Sequence, residues 1–151
     1  LIMVTTSRET QPENPMSYIS QIEKKSISAK INPILKEYNL KGTLSIRHHS
    51  QLVLKISTGP IDFFKNFNET AGYKNFWNNE FEPITSNHME INQYHYKEHF
   101  SGVALEALSK LIPAMYTDDF HDNSRIECDF FDISYYISVR VGEWNKPYMV
   151  V

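Results

Sequence analysis

The strongest constraint on the fold is a strict alternation of side-chain character near the C-terminus, in the stretch FFDISYYISVRVG. One set of alternate side chains is apolar: Phe131, Ile133, Tyr135, Ile137, Val139 and Val141. The intervening set is mostly polar: Asp132, Ser134, Tyr136, Ser138 and Arg140. Because successive side chains of a strand point to opposite faces, the pattern predicts a β-strand with one apolar face and one solvent-facing face.

A second alternating pattern lies on both sides of the polar centre HHS. Leu44 and Ile46 alternate with polar residues before it, and Leu52, Leu54 and Ile56 alternate after it. This arrangement predicts a β-hairpin that turns at residues 48–50. The solvent-facing side of the sheet would then present Ser45, Arg47, Lys55, Tyr136, Ser138 and Arg140.

Two segments have the apolar spacing of amphipathic helices. The first begins at Ser17, a candidate N-cap, and runs to Tyr38, with Pro33 expected to kink or divide it. The second is opened by Ser101 and Gly102, and its apolar positions recur at helical intervals: Ala104, Leu108, Leu111, Ile112 and Met115. Between them, residues 61–68 favour a short helix, and residues 66–93 are rich in asparagine and irregular.

These elements predict a single α+β domain over residues 16–151. It would be a small antiparallel sheet, formed by the hairpin plus the C-terminal strand, packed by two main helices. Residues 1–15 are mostly polar, contain two prolines and begin with Leu1. We interpret them as a disordered leader or an artificial upstream extension, with Met16 as the natural start.

The composition disfavours several classes of protein. The net charge of −3 does not match the strongly basic composition of a general nucleic-acid binder. No segment approaches the ~20 consecutive apolar residues of a membrane span, so we expect no membrane insertion. The single cysteine, Cys128, allows no internal disulfide and fits a reducing cytoplasm. Because Cys128 lies between Glu127 and Asp129, its thiolate is disfavoured and we interpret it as structural.

The motif HYKEH, residues 95–99, has the H-x-x-E-H spacing of inverted zinc-protease sites. On a helix, His95 and His99 would share one face and could bind one zinc ion, with Glu98 as general base. The third ligand would have to come from further along the chain, from Glu127 or Glu143. Since Ser101 and Gly102 would end such a helix at once, we favour a surface turn or short helix with two solvated histidines and expect no bound metal or cofactor.

Two segments, SIRHHSQLVLKISTGPIDF and HDNSRIECDFFDISYYISVRVGEWNKPY, flank the second helix. Together they resemble small uncharacterised proteins of bacteriophages and mobile elements, which are similar to accessory domains of large polyvalent phage and plasmid proteins. The resemblance covers roughly Met16 to Tyr148 and matches least in the asparagine-rich part. It implies a protein of the bacterial host cytoplasm, where small phage proteins often counter restriction and CRISPR systems. It implies no catalytic residues.

We therefore expect a non-catalytic protein that binds a host protein, such as a defence nuclease or its complex, as an inhibitor of anti-CRISPR or anti-restriction type. Aromatic anchors beside a charged rim give compact interfaces their energy and orientation. The predicted contact residues belong to the acidic loop after the second helix and to exposed aromatics: Trp77, Asp118, Asp119, Asp122, Tyr136 and Trp144.

Two alternatives follow from other residues. A nucleic-acid-binding accessory protein would contact phosphates through its basic side chains, with Tyr136 stacking on bases. Those side chains are Arg47, His48, His49, Lys55 and Arg140. The second alternative is the zinc-dependent hydrolase through HYKEH. An exposed edge strand would also permit a homodimer.

Overall fold

The computed structural model describes residues 17–74, 82–125, 127 and 132–151, so the predicted leader lies outside the described residues. Its elements, in chain order, are α1 Gln21–Glu37, β1 Lys41–Arg47, β2 Gln51–Gly59, α2 Phe63–Lys74, β3 Met89–Ile91, α3 Tyr96–His99, α4 Gly102–Ala114, β4 Tyr136–Val141 and β5 Met149–Val150. None of the described helices combines the length and the apolar character that crossing a membrane requires.

The sheet has the strand order β1-β2-β4-β3, and β5 pairs with the end of β2. The predicted α+β class and the hairpin of β1 and β2 are confirmed. The sheet differs from the prediction of an antiparallel hairpin plus one strand. Strand β4 runs parallel to β2, so the sheet is mixed, and β3 and β5 add two short strands that were not predicted. Alternation determines which face a side chain occupies but not the direction of the strand. The long connection through α2, α3 and α4 returns the chain to the end where β2 began, as parallel pairing requires.

The apolar face of the sheet is the one that the alternation predicts. Leu52, Leu54 and Ile56 of β2 are the register partners of Ile137, Val139 and Val141 of β4. They join a buried core cluster whose members range from Ile19 to Tyr148. Helix α1 adds Ile27, Ile31 and Leu35, and α4 adds Ala104, Ala107, Leu108, Leu111 and Ile112. Each fully buried Leu or Ile contributes about 1.5–3 kcal/mol, so this face holds the two helices on the sheet.

The opposite face is less open than the sequence predicts. Ser138 was expected to face solvent, yet it is fully buried. Its hydroxyl donates to Glu90 Oε2 (3.0 Å) and accepts from Arg140 Nε (3.1 Å). A carboxylate of the neighbouring strand β3 and the guanidinium of Arg140, two residues along β4, thus satisfy the Ser138 hydroxyl where water was expected to.

Helix α1 begins later than predicted and continues through its proline. The N-cap is Ser20, whose side chain accepts from the Glu23 backbone N–H while the Glu23 carboxylate accepts from the Ser20 N–H. This capping box satisfies two of the free backbone donors at the helix start. Ser17 has another role, because its hydroxyl donates to the Ile133 carbonyl (2.8 Å). Pro33 lies inside an unbroken helix that ends at Glu37.

Candidate functional site

An aromatic groove lies at the end of the sheet where β4 begins. Strands β3 and β4 are antiparallel, so the residues that follow Ile91 lie beside those that precede Val139. The C-terminal end of α4 reaches the same place, because the Tyr135 hydroxyl donates to the Met115 carbonyl (2.7 Å). Together these segments enclose a cavity of about 360 Å³. Its described lining is Gln93, Tyr94, Tyr116, Phe120, Asp122, Ile133, Tyr135, Tyr136 and Ile137.

The floor of the aromatic groove is a chain of edge-to-face rings. The ring centroids of Tyr116 and Phe120 are 4.5 Å apart, and those of Phe120 and Tyr135 are 5.0 Å apart. Tyr135 is 1% exposed. Its hydroxyl also accepts from the Thr117 backbone N–H (2.9 Å), which ties the turn after α4 to the start of β4. The floor is therefore fixed both by ring packing and by two hydrogen bonds.

Two tyrosines form the exposed rim of the aromatic groove. Tyr94 is 69% exposed and Tyr136 is 43% exposed. Tyr94 is placed by Asn92, whose Oδ1 accepts from the backbone N–H groups of Tyr94 (2.8 Å) and His95 (3.1 Å). An Asn side chain that accepts from the following backbone N–H groups makes a turn. Strand β3 therefore ends at this point and Tyr94 projects at the rim.

The aromatic groove continues into a shallower cavity of about 450 Å³. The two cavities share Gln93, Tyr94 and Tyr116. The outer cavity carries Lys97, whereas the inner one carries Asp122. The two ends of the continuous groove thus have side chains of opposite charge, which would orient an elongated ligand.

Burial raises the pKa of Tyr116 to about 12, and the neighbouring phenols of Tyr94, Tyr135 and Tyr96 and the carboxylate of Asp122 raise it further in the same direction. The Tyr116 phenol is therefore neutral at pH 7. The Asp122 carboxylate is exposed, and its Oδ1 accepts from the Ser124 backbone N–H (3.1 Å). It brings negative charge to the mouth of a pocket whose walls are mostly aromatic.

The acidic loop beside the aromatic groove is held by a Ser-His-Asp chain of hydrogen bonds. His121 Nε2 lies 3.0 Å from Asp132 Oδ1, and His121 Nδ1 lies 2.9 Å from Ser134 Oγ. The order resembles that of a nucleophilic triad. Ser134 Oγ, however, also accepts from the His121 backbone N–H (2.9 Å). The three side chains therefore bridge the two sides of the loop next to the Asp122–Ile133 bridge, which fixes the position of Asp122.

The predicted contact residues do not form one surface. Tyr136 and Asp122 line the aromatic groove, and the exposed Asp118 and Asp119 lie in the turn between Tyr116 and Phe120. Trp144 follows the opposite end of β4, a strand whose first and last residues are roughly 17 Å apart. Trp77 lies outside the described residues.

The predicted nucleic-acid residues fall into two groups. Lys55 and Arg140 are register partners in mid-sheet, but each faces a carboxylate. Lys55 Nζ lies 3.2 Å from Glu143 Oε1, and Arg140 Nε lies 4.0 Å from Glu90 Oε1. These carboxylates offset the positive charge that a phosphate backbone would need.

The second group of predicted nucleic-acid residues is the hairpin turn, Arg47 with His48 and His49. Both histidines are exposed and have positive φ angles, 54° and 59°. Positive φ at both central residues is typical of a type I′ turn, and it costs a non-glycine residue about 1–2 kcal/mol. The turn is held by bonds from Ser50 N–H to the Arg47 carbonyl (3.2 Å) and from Ile19 N–H to the His49 carbonyl (2.9 Å).

The HYKEH motif forms a single turn of helix, with His95 as its N-cap. His95 Nδ1 lies 3.3 Å from Glu98 Oε1, and the His99 ring packs edge-on against Phe67 with centroids 5.3 Å apart. The buried member of the motif is Tyr96, which belongs to the core. Within the described residues, no three His, Cys, Asp or Glu side chains, HYKEH included, are grouped so as to hold a metal ion. Glu143, one proposed third ligand, contacts Lys55 instead.

Sequence reasoning missed most of the aromatic groove. Tyr94, Tyr116 and Phe120 come from segments that were interpreted as irregular or terminal, and Tyr135 was assigned only to the apolar face. The available signal was that these aromatic residues lie at the ends of three different secondary-structure elements. Only the strand pairing shows that those ends meet and form one groove.

Comparison with models of protein families, with curated proteins and with solved structures finds no match for this chain. The resemblance to phage and mobile-element proteins therefore stays a prediction. The geometry of the aromatic groove carries the functional proposal.

Proposed function

We propose that this chain acts by binding another protein through the aromatic groove. The observation that carries the proposal is the combination of a fixed aromatic floor with two exposed tyrosines at its rim. Tyrosine is enriched in the energetically dominant part of protein interfaces, because it offers a large apolar area and a hydroxyl at little entropic cost. A rigid floor also favours binding, because its side chains lose little conformational entropy when the partner binds.

The partner class that the sequence resemblance implies is a component of a bacterial defence system, which the chain would inhibit by occupying its surface. The acidic side chains Asp118, Asp119 and Asp122 support a partner with a basic surface, because opposite charges speed the encounter and fix its orientation. Nucleases present such a surface to their substrate. An inhibitor that covered it would need no catalytic group of its own.

The proposal is tested by capture from bacterial lysate with the full chain immobilised, with and without nuclease treatment. A host protein that survives nuclease treatment, and that is lost when Tyr136→Ala is used, supports the proposal. Trp144→Ala is the matched control, because Trp144 is an exposed aromatic at the other end of β4. Capture of the same protein by all three chains would contradict a role for the groove, and recovery of nucleic acid would favour the alternative through Arg47, His48 and His49.

A further inference from the structure

The inner part of the aromatic groove combines aromatic walls with one carboxylate, and this combination points to a particular ligand chemistry. We infer that it binds a cationic side chain of a protein partner, the guanidinium of arginine or the ammonium of lysine, with Asp122 as the counter-ion. The inference rests on the proposed function and deepens it by naming what the partner must present.

The aromatic part of the argument concerns the faces of the rings. A cation over the face of a tyrosine or phenylalanine ring is attracted by the negative charge of the π system. Tyr116 and Phe120 meet at an interplanar angle of 72°, and Phe120 and Tyr135 at 78°. In such an edge-to-face chain the edge of one ring covers one face of its neighbour, and Tyr135 is buried, so the accessible rings are those at the rim. Tyr94 and Tyr136 add two further rings at the rim of the same cavity.

The electrostatic part concerns the charge of the pocket at neutral pH. The Tyr116 phenol is neutral at pH 7, as a tyrosine of ordinary pKa would be, and burial raises its pKa further, to about 12. Asp122 then supplies a negative charge at the mouth. An ionised carboxylate has about four acceptor positions, and the Ser124 N–H takes one of them. Acceptor positions therefore remain for the N–H groups of an incoming cation, and charge-assisted bonds of this kind are the stronger class.

The orientation of the ligand follows from the outer cavity. Lys97 lines that cavity together with Tyr94 and Tyr116. A cation placed there would be repelled by Lys97, whereas one placed in the inner cavity meets Asp122. The inner cavity, about 360 Å³, is at the small end of the ~300–1,000 Å³ range of ligand pockets. That size suits one side chain of a partner better than a whole peptide.

The test is an NMR titration of the full chain with isotope-labelled tyrosine rings. The two probes are capped amino acids without terminal charges: N-acetyl-arginine methylamide and its neutral isostere N-acetyl-citrulline methylamide. We expect saturable shifts of the Tyr94, Tyr116 and Tyr136 ring resonances with the arginine probe, at an affinity about tenfold above that for citrulline. Equal affinities for the two probes, or shifts that do not saturate, would overturn the inference.

Asp122→Asn keeps the acceptor for the Ser124 N–H and removes only the charge. We expect it to lower the affinity for the arginine probe about tenfold and to leave that for citrulline unchanged. Asp62→Asn is the matched control, since Asp62 Oδ1 likewise accepts from a backbone N–H, that of Lys65 (3.1 Å), at the start of α2. An equal loss in both variants would assign the effect to net charge and contradict a site at Asp122.

A second variant keeps the test decisive if Asp122→Asn perturbs the loop. Tyr94→Leu retains an apolar side chain at an exposed position but removes the ring. It should therefore lower the affinity for the arginine probe several-fold more than the affinity for the citrulline probe.

The inference and the proposed function can fail separately. Capture that depends on Tyr136 while arginine and citrulline bind alike would leave the function standing and reject the cation, whereas capture that ignores Tyr136 would reject the function.

Discussion

The two ends of β4 differ: one carries the proposed binding surface, and the other is closed by backbone contacts and paired charges. At its first residue, Tyr136, the strand meets the aromatic groove, where exposed rings stand above a buried floor. Beyond its last residue, Val141, the chain turns at Gly142 and exposes Trp144 by 81%. That end also has a cavity, of about 220 Å³, but Glu90 and Glu143 line it together with Arg140.

The far end is built from backbone contacts and compensated charges. Gly142 N–H donates to the Ile56 carbonyl (2.9 Å), and Tyr148 N–H donates to the Asn87 carbonyl (3.0 Å). Tyr148 is buried against Phe63, and its hydroxyl donates to the Ile61 carbonyl (2.7 Å). Trp144 therefore stays a predicted contact residue. Our proposal favours the other end of β4 because several aromatic rings line one cavity there.

The largest expected effect is a loss of stability when a side chain is added at Gly142, at the C-terminal end of β4. Gly142 has a φ of +75°, and a Cβ there would lie 2.6 Å from Tyr148 N and 2.7 Å from Asn87 O. Gly142→Ala combines left-handed strain with a backbone clash, and we expect it to lower the free energy of unfolding by about 3 kcal/mol. Urea denaturation followed by circular dichroism measures the loss.

Gly102→Ala is the control for that change. Gly102 has a φ of +57° but no heavy atom within 4 Å of an added Cβ, so only strain remains, about 1 kcal/mol. Equal losses in the two variants would show that the far end has room to relax and is not the rigid closure described above.

The apolar faces of β2 and β4 and the stripe of α4 could be predicted from the sequence, because their side-chain periods are set by local backbone geometry. Parallel pairing of β2 with β4 could not, since it depends on how the connection returns. The late start of α1 could have been predicted, because Ser20 and Glu23 have the spacing of a capping box. Strand β3 has three residues, too few for a period, and without β3 the position of Tyr94 beside Tyr136 could not be derived.

The next effect concerns the floor of the aromatic groove. Tyr135→Phe keeps the ring and removes the hydroxyl, which leaves the Met115 carbonyl and the Thr117 N–H without their partner. An unsatisfied buried backbone group costs about 1–3 kcal/mol, so we expect a loss of about 2 kcal/mol in the free energy of unfolding. Tyr136→Phe, at the exposed rim, should change it by less than about 0.5 kcal/mol. A comparable loss from both variants would mean that the groove floor is not fixed by these bonds.

Removing one exposed aromatic ring from each end of β4 tests directly which end binds the partner. Once a partner is captured, Tyr94→Ala should weaken its binding about tenfold, or 1.4 kcal/mol, while Trp144→Ala should leave it within about twofold. Isothermal titration calorimetry measures both, with the thermal midpoint of each variant as the check on folding. A larger effect from Trp144→Ala would move the binding surface to the far end of β4.

The smallest effect is expected from the ion pair of Lys55 and Glu143. Their side chains are 31% and 39% exposed, so solvent and salt screen the attraction, and Glu143→Gln should cost at most about 0.5 kcal/mol in stability. Glu37→Gln, which breaks the exposed pair with Lys110, is the control and should behave alike. A loss near 2 kcal/mol for Glu143→Gln alone would show that the pair is coupled to the neighbouring bonds among Arg140, Ser138 and Glu90. The charges of the far end would then form one cooperative network, which could compete with the aromatic groove as a binding surface.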